Sequence, residues 1–148
     1  PPTTPEGAWD VTCLLVQPTS DIVATDFDGD GKLEILTFSK FHGDTLAIWH
    51  EGQTRDRYEQ VWCDPQKRSF LHALWAADLN GEKCAVIGNR KDGRDLLLVR
   101  YVDGEYTVDV IDHDLGPANC MVYRHDGSDY IVAAYRETDQ LALYKVVE

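Results

Sequence analysis

Between Asp26 and Glu34 the chain reads Asp-Phe-Asp-Gly-Asp-Gly-Lys-Leu-Glu, which sets carboxylates at positions one, three, five and nine of a short loop with Gly31 at position six. Oxygen donors at this spacing suit a hard cation. Ca²⁺ is the expected cofactor, with Asp26, Asp28, Asp30, Lys32 and Glu34 as the metal-site residues. Like charges crowded into one turn repel one another, so the loop is expected to be loose until an ion neutralises it. The alternative is a solvated Asp-Gly turn that holds no ion.

The surroundings of this loop recur. Ala24-Thr25-Asp26-Phe27-Asp28-Gly29-Asp30 aligns with Ala76-Ala77-Asp78-Leu79-Asn80-Gly81-Glu82 and then with Val122-Tyr123-Arg124-His125-Asp126-Gly127-Ser128, at spacings of 52 and 46 residues. The metal chemistry fades across the copies. The second places Lys83 where the first has Gly31, and the third replaces Asp26 by Arg124, so one good site and two structural turns are expected.

Short apolar segments punctuated by Gly and Asp follow each turn, the pattern of β-strands. The second repeat shows four, over 71–79, 83–89, 95–101 and 106–112. The first repeat also has four, the last over 58–63, whereas the third has three. An additional strand-like segment, Trp9-Asp10-Val11-Thr12-Cys13-Leu14-Leu15-Val16, precedes the first repeat and is expected to supply the missing one. The domain plan is an extended tail over 1–8 and a single domain over 9–148, with repeats at about 20–64, 70–113 and 117–148.

Four-stranded repeats whose last unit is closed by a strand from the other terminus, together with the Asp-Phe-Asp-Gly-Asp-Gly-Lys-Leu-Glu-Ile turn, resemble the FG-GAP or VCBS class of β-propeller repeat. The resemblance spans 9–148 and implies an all-β, β-propeller-type fold with three four-stranded blades, about 12 strands in all. Propellers have roughly four to eight blades. Three cannot readily close a ring, so the expected partner is a second copy in a six-bladed homodimer, its strand 9–16 completing the neighbour's third blade. The rival is a fragment of a longer propeller.

Composition narrows the function. The 148 residues carry 14 Lys and Arg against 26 Asp and Glu, a net charge of −12, which disfavours nucleic acid. No apolar run approaches a membrane span. No secretory leader is visible, although a chain starting at Pro1 without Met could have lost a leader or upstream segment. Cys13, Cys63, Cys84 and Cys120 show neither disulfide nor zinc spacing and are expected as four small buried side chains, which leans towards a reducing, cytoplasmic setting.

Strand direction puts the loops entering each first strand, and those joining second to third strands, on the side opposite the Asp26 turn, whose metal is therefore read as structural. On that loop face Lys40, Arg90 and Arg136 share one repeat position. A ring of cations on an acidic protein suits an anionic group such as a uronate, or the cations simply pair with neighbouring carboxylates. The expected ligand-binding set is Lys40, His42, Asp44, His72, Arg90, Asn119 and Arg136, with Trp49, Trp62, Trp75 and Tyr135 as aromatic surface for a glycan, Trp49 and Trp75 being read first as core. The leading expectation is a calcium-stabilised, oligomeric binding module for carbohydrate or another anionic ligand. Related repeats also resemble those of propeller lyases and dehydratases, which act by β-elimination. In that alternative His42 or His72 would be the base and Arg90 or Arg136 the charge stabiliser.

Overall fold

A computed structural model describes Thr4 and residues 8–147 of the chain. Most of the tail expected over 1–8 lies outside the described residues. The fold is all-β. Eleven strands run in order: β1 (Asp21–Thr25), β2 (Glu34–Ser39), β3 (Thr45–Glu51), β4 (Tyr58–Cys63), β5 (Leu71–Leu79), β6 (Glu82–Asn89), β7 (Leu96–Val102), β8 (Glu105–Asp112), β9 (Pro117–His125), β10 (Ser128–Tyr135) and β11 (Gln140–Lys145). One 3₁₀ turn, Arg136–Thr138, joins the last two. No helix among the described residues is long and apolar enough to cross a membrane.

Each repeat forms one antiparallel meander, β1-β2-β3-β4, β5-β6-β7-β8 and β9-β10-β11. The turns explain the local pairing. Asn80-Gly81 and Asp126-Gly127 each have positive φ at both residues, the two-residue hairpin geometry whose twist matches the flanking strands. These are the degenerate copies of the Asp26 loop, reduced to hairpin turns.

The sheets stack in sequence, and the middle one is buried on both faces. In β6, Ala85 and Ile87 join Leu36, Phe38, Leu46 and Ile48 in one core, while Cys84 and Val86 join Cys120, Ile131, Ala133 and Tyr135 in another. Successive side chains of a strand point to opposite faces, so a strand covered on both sides reads as a continuous apolar run. At Gly88 an added Cβ would lie 2.6 Å from the Pro117 carbonyl oxygen, so the absence of a side chain there lets β9 approach β6. The first strands β1 and β5, and β5 and β9, are neighbours.

The two end sheets are covered on one face only. In the third, Cys120, Val122, Ala142 and Tyr144 face the second core, which turns Met121, Leu141 and Leu143 outward with 43%, 74% and 59% exposure. Segment 9–16, expected as a strand, makes no ladder within its own chain, and Trp9, Val11 and Val16 are exposed. It leads directly into the first sheet, whereas the free edge strand β11 belongs to the third, beyond the intervening second sheet.

The cysteines split into two classes, against the expectation of four buried side chains. Cys13 lies in that unpaired segment and Cys63 on the outer strand β4, and both are exposed. Cys84 and Cys120 are buried between the second and third sheets, where desolvation pushes each thiol up to about 12.

Candidate metal centre and the opposite loop face

The Asp26 loop closes on its own backbone amides. Asp26 accepts from Gly29 N at 2.8 Å and Gly31 N at 3.1 Å, Asp28 from Asp30 N at 3.1 Å, and Asp30 from Lys32 N at 2.8 Å. Short Asp side chains fold turns this way. Glu34 then opens β2 with its side chain fully buried. Its Oε2 accepts from Phe27 N at 2.6 Å, and its Oε1 is buried without a hydrogen-bond donor.

His50 arrives from the neighbouring strand. Ile35 pairs with Trp49, so Glu34 and His50 stand opposite each other one step along the β2–β3 ladder. The His50 Nδ1 lies 2.7 Å from the Glu51 carbonyl oxygen, which can only accept, so Nδ1 carries the proton. The Nε2 then faces Asp30 Oδ2 at 3.2 Å and Glu34 Oε1 at 3.4 Å. Donor atoms of Asp28, Asp30, Glu34 and His50 all lie within 4.8 Å of one another. This group could hold a metal ion.

Of the five expected metal residues, three therefore converge. Asp26 spends both oxygens on the loop amides and shapes the turn, while Lys32 donates its amide to Asp30. His50 is the candidate ligand that reading the loop alone missed. Its signal lay in pairing: a hairpin closed by Ser39 and Thr45 puts Glu34 opposite His50.

Burial raises the Glu34 carboxyl above its ordinary range, with the Asp28 charge adding to the effect and the Phe27 amide opposing it. Desolvation pulls His50 down, but the Glu51 carbonyl, Asp30 and Glu34 outweigh it and raise the imidazole. Asp30 is lowered, first by the Lys32 amide. The centre opens on a cleft of about 600 Å³ with Trp62, Tyr101 and Tyr106 on its far wall.

At the other end, the expected ligand residues fall into two groups. His42 stacks on Phe70 with centroids 4.4 Å apart and on His72 at 5.1 Å, and the exposed Phe41 leans on His42 at 4.0 Å. Arg90 and Lys91 stand over the Phe70 ring at 4.9 and 4.8 Å. Both His42 and Phe70 adopt left-handed backbone conformations, at φ 48 and 64. These are uncommon for bulky side chains and are held there by their surroundings.

The remaining residues are tied into the frame or left open. Arg90 pairs with Glu137 at 2.5 Å, Asp44 accepts from Thr45 and pairs with Lys67, Asn119 accepts from Cys120 N, and His72 Nδ1 donates to the Ala118 carbonyl. Lys40 and Arg136 are exposed and make no ion pair among the described residues. Among the expected aromatics, Tyr135 is buried at 1% exposure and offers no surface, whereas Trp75, read first as core, is 41% exposed. Trp49 is half-buried and its indole donates to Thr37 Oγ1 at 3.0 Å.

Compared with known proteins, the chain matches no family model, no curated protein and no solved structure.

Proposed function

We propose that the chain is a non-catalytic, cation-stabilised binding module, half of a six-bladed propeller ring that a second copy completes, and that it takes an anionic carbohydrate on the face opposite the metal centre. The observation that carries the reading is the His42, Phe70 and His72 stack with Lys91 over the Phe70 ring, an exposed cation that makes no ion pair among the described residues. A sugar ring lays an apolar face on aromatic side chains, and a uronate carboxylate takes charge-assisted hydrogen bonds from neighbouring cations. Strained backbone at His42 and Phe70 supports a functional assignment for the same face. The loop's oxygen donors on their own point to Ca²⁺ as the stabilising ion.

The elimination alternative has less support. Arg90, one of its two candidate charge stabilisers, is already paired with Glu137.

Titration with oligogalacturonate and with a neutral oligosaccharide of equal length tests the proposal. The expected result is binding of the charged oligomer alone, weakened at least fivefold by Lys91→Ala and reduced by added salt. Equal binding of both sugars, or none of either, would remove the anionic-glycan reading.

A further inference from the structure

We infer that the metal centre is built for a first-row transition ion of the Mn²⁺ or Zn²⁺ kind, with the Nε2 of His50 as a ligand beside Asp28, Asp30 and Glu34. This rests on the reading that a divalent cation stabilises the loop, and it changes the ion.

The starting point is an unmet need. Glu34 Oε1 is buried and has no donor, although its twin oxygen takes the Phe27 amide. It is aimed at His50 Nε2, 3.4 Å away, which presents a lone pair in the neutral ring whose Nδ1 proton goes to Glu51. Asp30 Oδ2 faces the same nitrogen at 3.2 Å. Either a proton on Nε2 or a cation must sit between these groups; a proton would serve Asp30 Oδ2 and still leave the buried Glu34 Oε1 without a donor, whereas one cation would satisfy all three.

The donor types choose among cations. Ca²⁺ takes oxygen ligands, about six to eight of them, whereas imidazole nitrogen suits Zn²⁺ and its neighbours and carboxylate extends the choice to Mn²⁺. Two donors each about 2.1 Å from a tetrahedral ion stand about 3.4 Å apart, which agrees with the spacing of Nε2 from the two carboxylate oxygens. The surrounding hydrogen bonds also suit a metal ligand. A ligating histidine typically donates its other ring nitrogen to a carbonyl or carboxylate, which fixes its tautomer and orientation, as Glu51 does here. The carboxylate of Glu34 is likewise held by a backbone amide. Asp30, on the cleft side, is 42% exposed and leaves room for water on the ion.

The test uses the full chain carrying Cys13→Ser and Cys63→Ser, which removes exposed thiols that would capture Zn²⁺. Metal-free protein is titrated calorimetrically with MnCl₂, ZnCl₂ and CaCl₂, alone and as Glu34→Gln and His50→Gln. The expected result is one ion per chain, with Mn²⁺ or Zn²⁺ at least tenfold tighter than Ca²⁺. Glu34→Gln should abolish binding, and His50→Gln should erase the transition-metal preference while changing Ca²⁺ affinity less than threefold. Nitrogen-15 spectra of the histidine rings supply a readout on the chain with its centre intact, where the His50 Nε2 resonance should move on addition of Zn²⁺. Ca²⁺ binding equal to or tighter than the others, with an unmoved Nε2 resonance, would overturn this inference and leave a calcium-stabilised module standing. Failure of all three ions would overturn both, and would mean that a proton on Nε2 serves Asp30 instead.

Discussion

At the residue scale, environment separates side chains of the same type. Cys84 and Cys120 sit between two sheets, where desolvation disfavours the thiolate, whereas Cys13 and Cys63 face solvent. Two thiols per chain should react with a disulfide reagent at pH 8, and the other two only after denaturation. The same burial gives an alkaline limit to stability. A thiol whose folded value is raised to about 12 contributes fully to stability below its ordinary value near 9 and loses that contribution as pH rises between the two. Unfolding midpoints in urea should therefore fall from pH 9 upward. Replacement of both buried cysteines by Ala should reduce the slope, at a cost in stability from lost packing. Rapid modification of all four thiols in the folded chain would contradict the two-core arrangement.

At the element scale, a few polar contacts hold the stacked sheets in register. Asp129, 2% exposed on β10, accepts from Asn80 N at 2.8 Å and so pins the third sheet to the β5–β6 turn. Tyr144 donates to Asp112 at 2.7 Å and ties β11 to β8. Asp129→Ala would remove the acceptor of the Asn80 amide, and because that turn is exposed and water can take its place, the loss should be about 0.5–1.5 kcal/mol, that of an ordinary hydrogen bond. The check is the denaturation midpoint, with the largest increase in hydrogen exchange expected in β9 and β10. The Arg90 and Glu137 pair also crosses between sheets but is partly exposed, so its removal should cost less. Strand bounds at this scale were legible from residue pattern: the segments expected over 58–63 and 71–79 match β4 and β5. The strand expected over 9–16 did not form within the chain, because apolar alternation supplies a candidate strand but a ladder also requires an edge within reach.

At the scale of the whole molecule, three stacked sheets leave two end faces uncovered. The outer face of the third carries the cross-strand row Met121, Val132 and Leu143, and Ile22 of the first sheet is 58% exposed. An apolar sheet face with an open edge invites another sheet, which is the physical ground for the proposal that a second copy closes the ring. Light scattering should give a mass near twice 16.7 kDa, and Leu141→Lys with Leu143→Lys should return it to that of one chain while the circular dichroism of the strands persists. An unchanged dimer in that double variant would place the interface elsewhere, and a folded monomer in the unaltered chain would remove the ring.

What the sequence by itself determined was the all-β character, the three-repeat period, most strand bounds and the conversion of two loop copies into turns. All of these depend on neighbours within a few residues: alternation of apolar side chains, and Gly, Asp and Asn where the backbone needs positive φ. Only the tertiary structure decided which residues make up the candidate metal centre, since His50 enters from the strand paired with Glu34 while Asp26 turns back onto its own loop amides. It also decided which cysteines are buried and that Arg90 is bound to Glu137, 47 residues further along. These outcomes depend on ladder register and sheet stacking, which join residues distant in the chain and leave no local pattern at either partner.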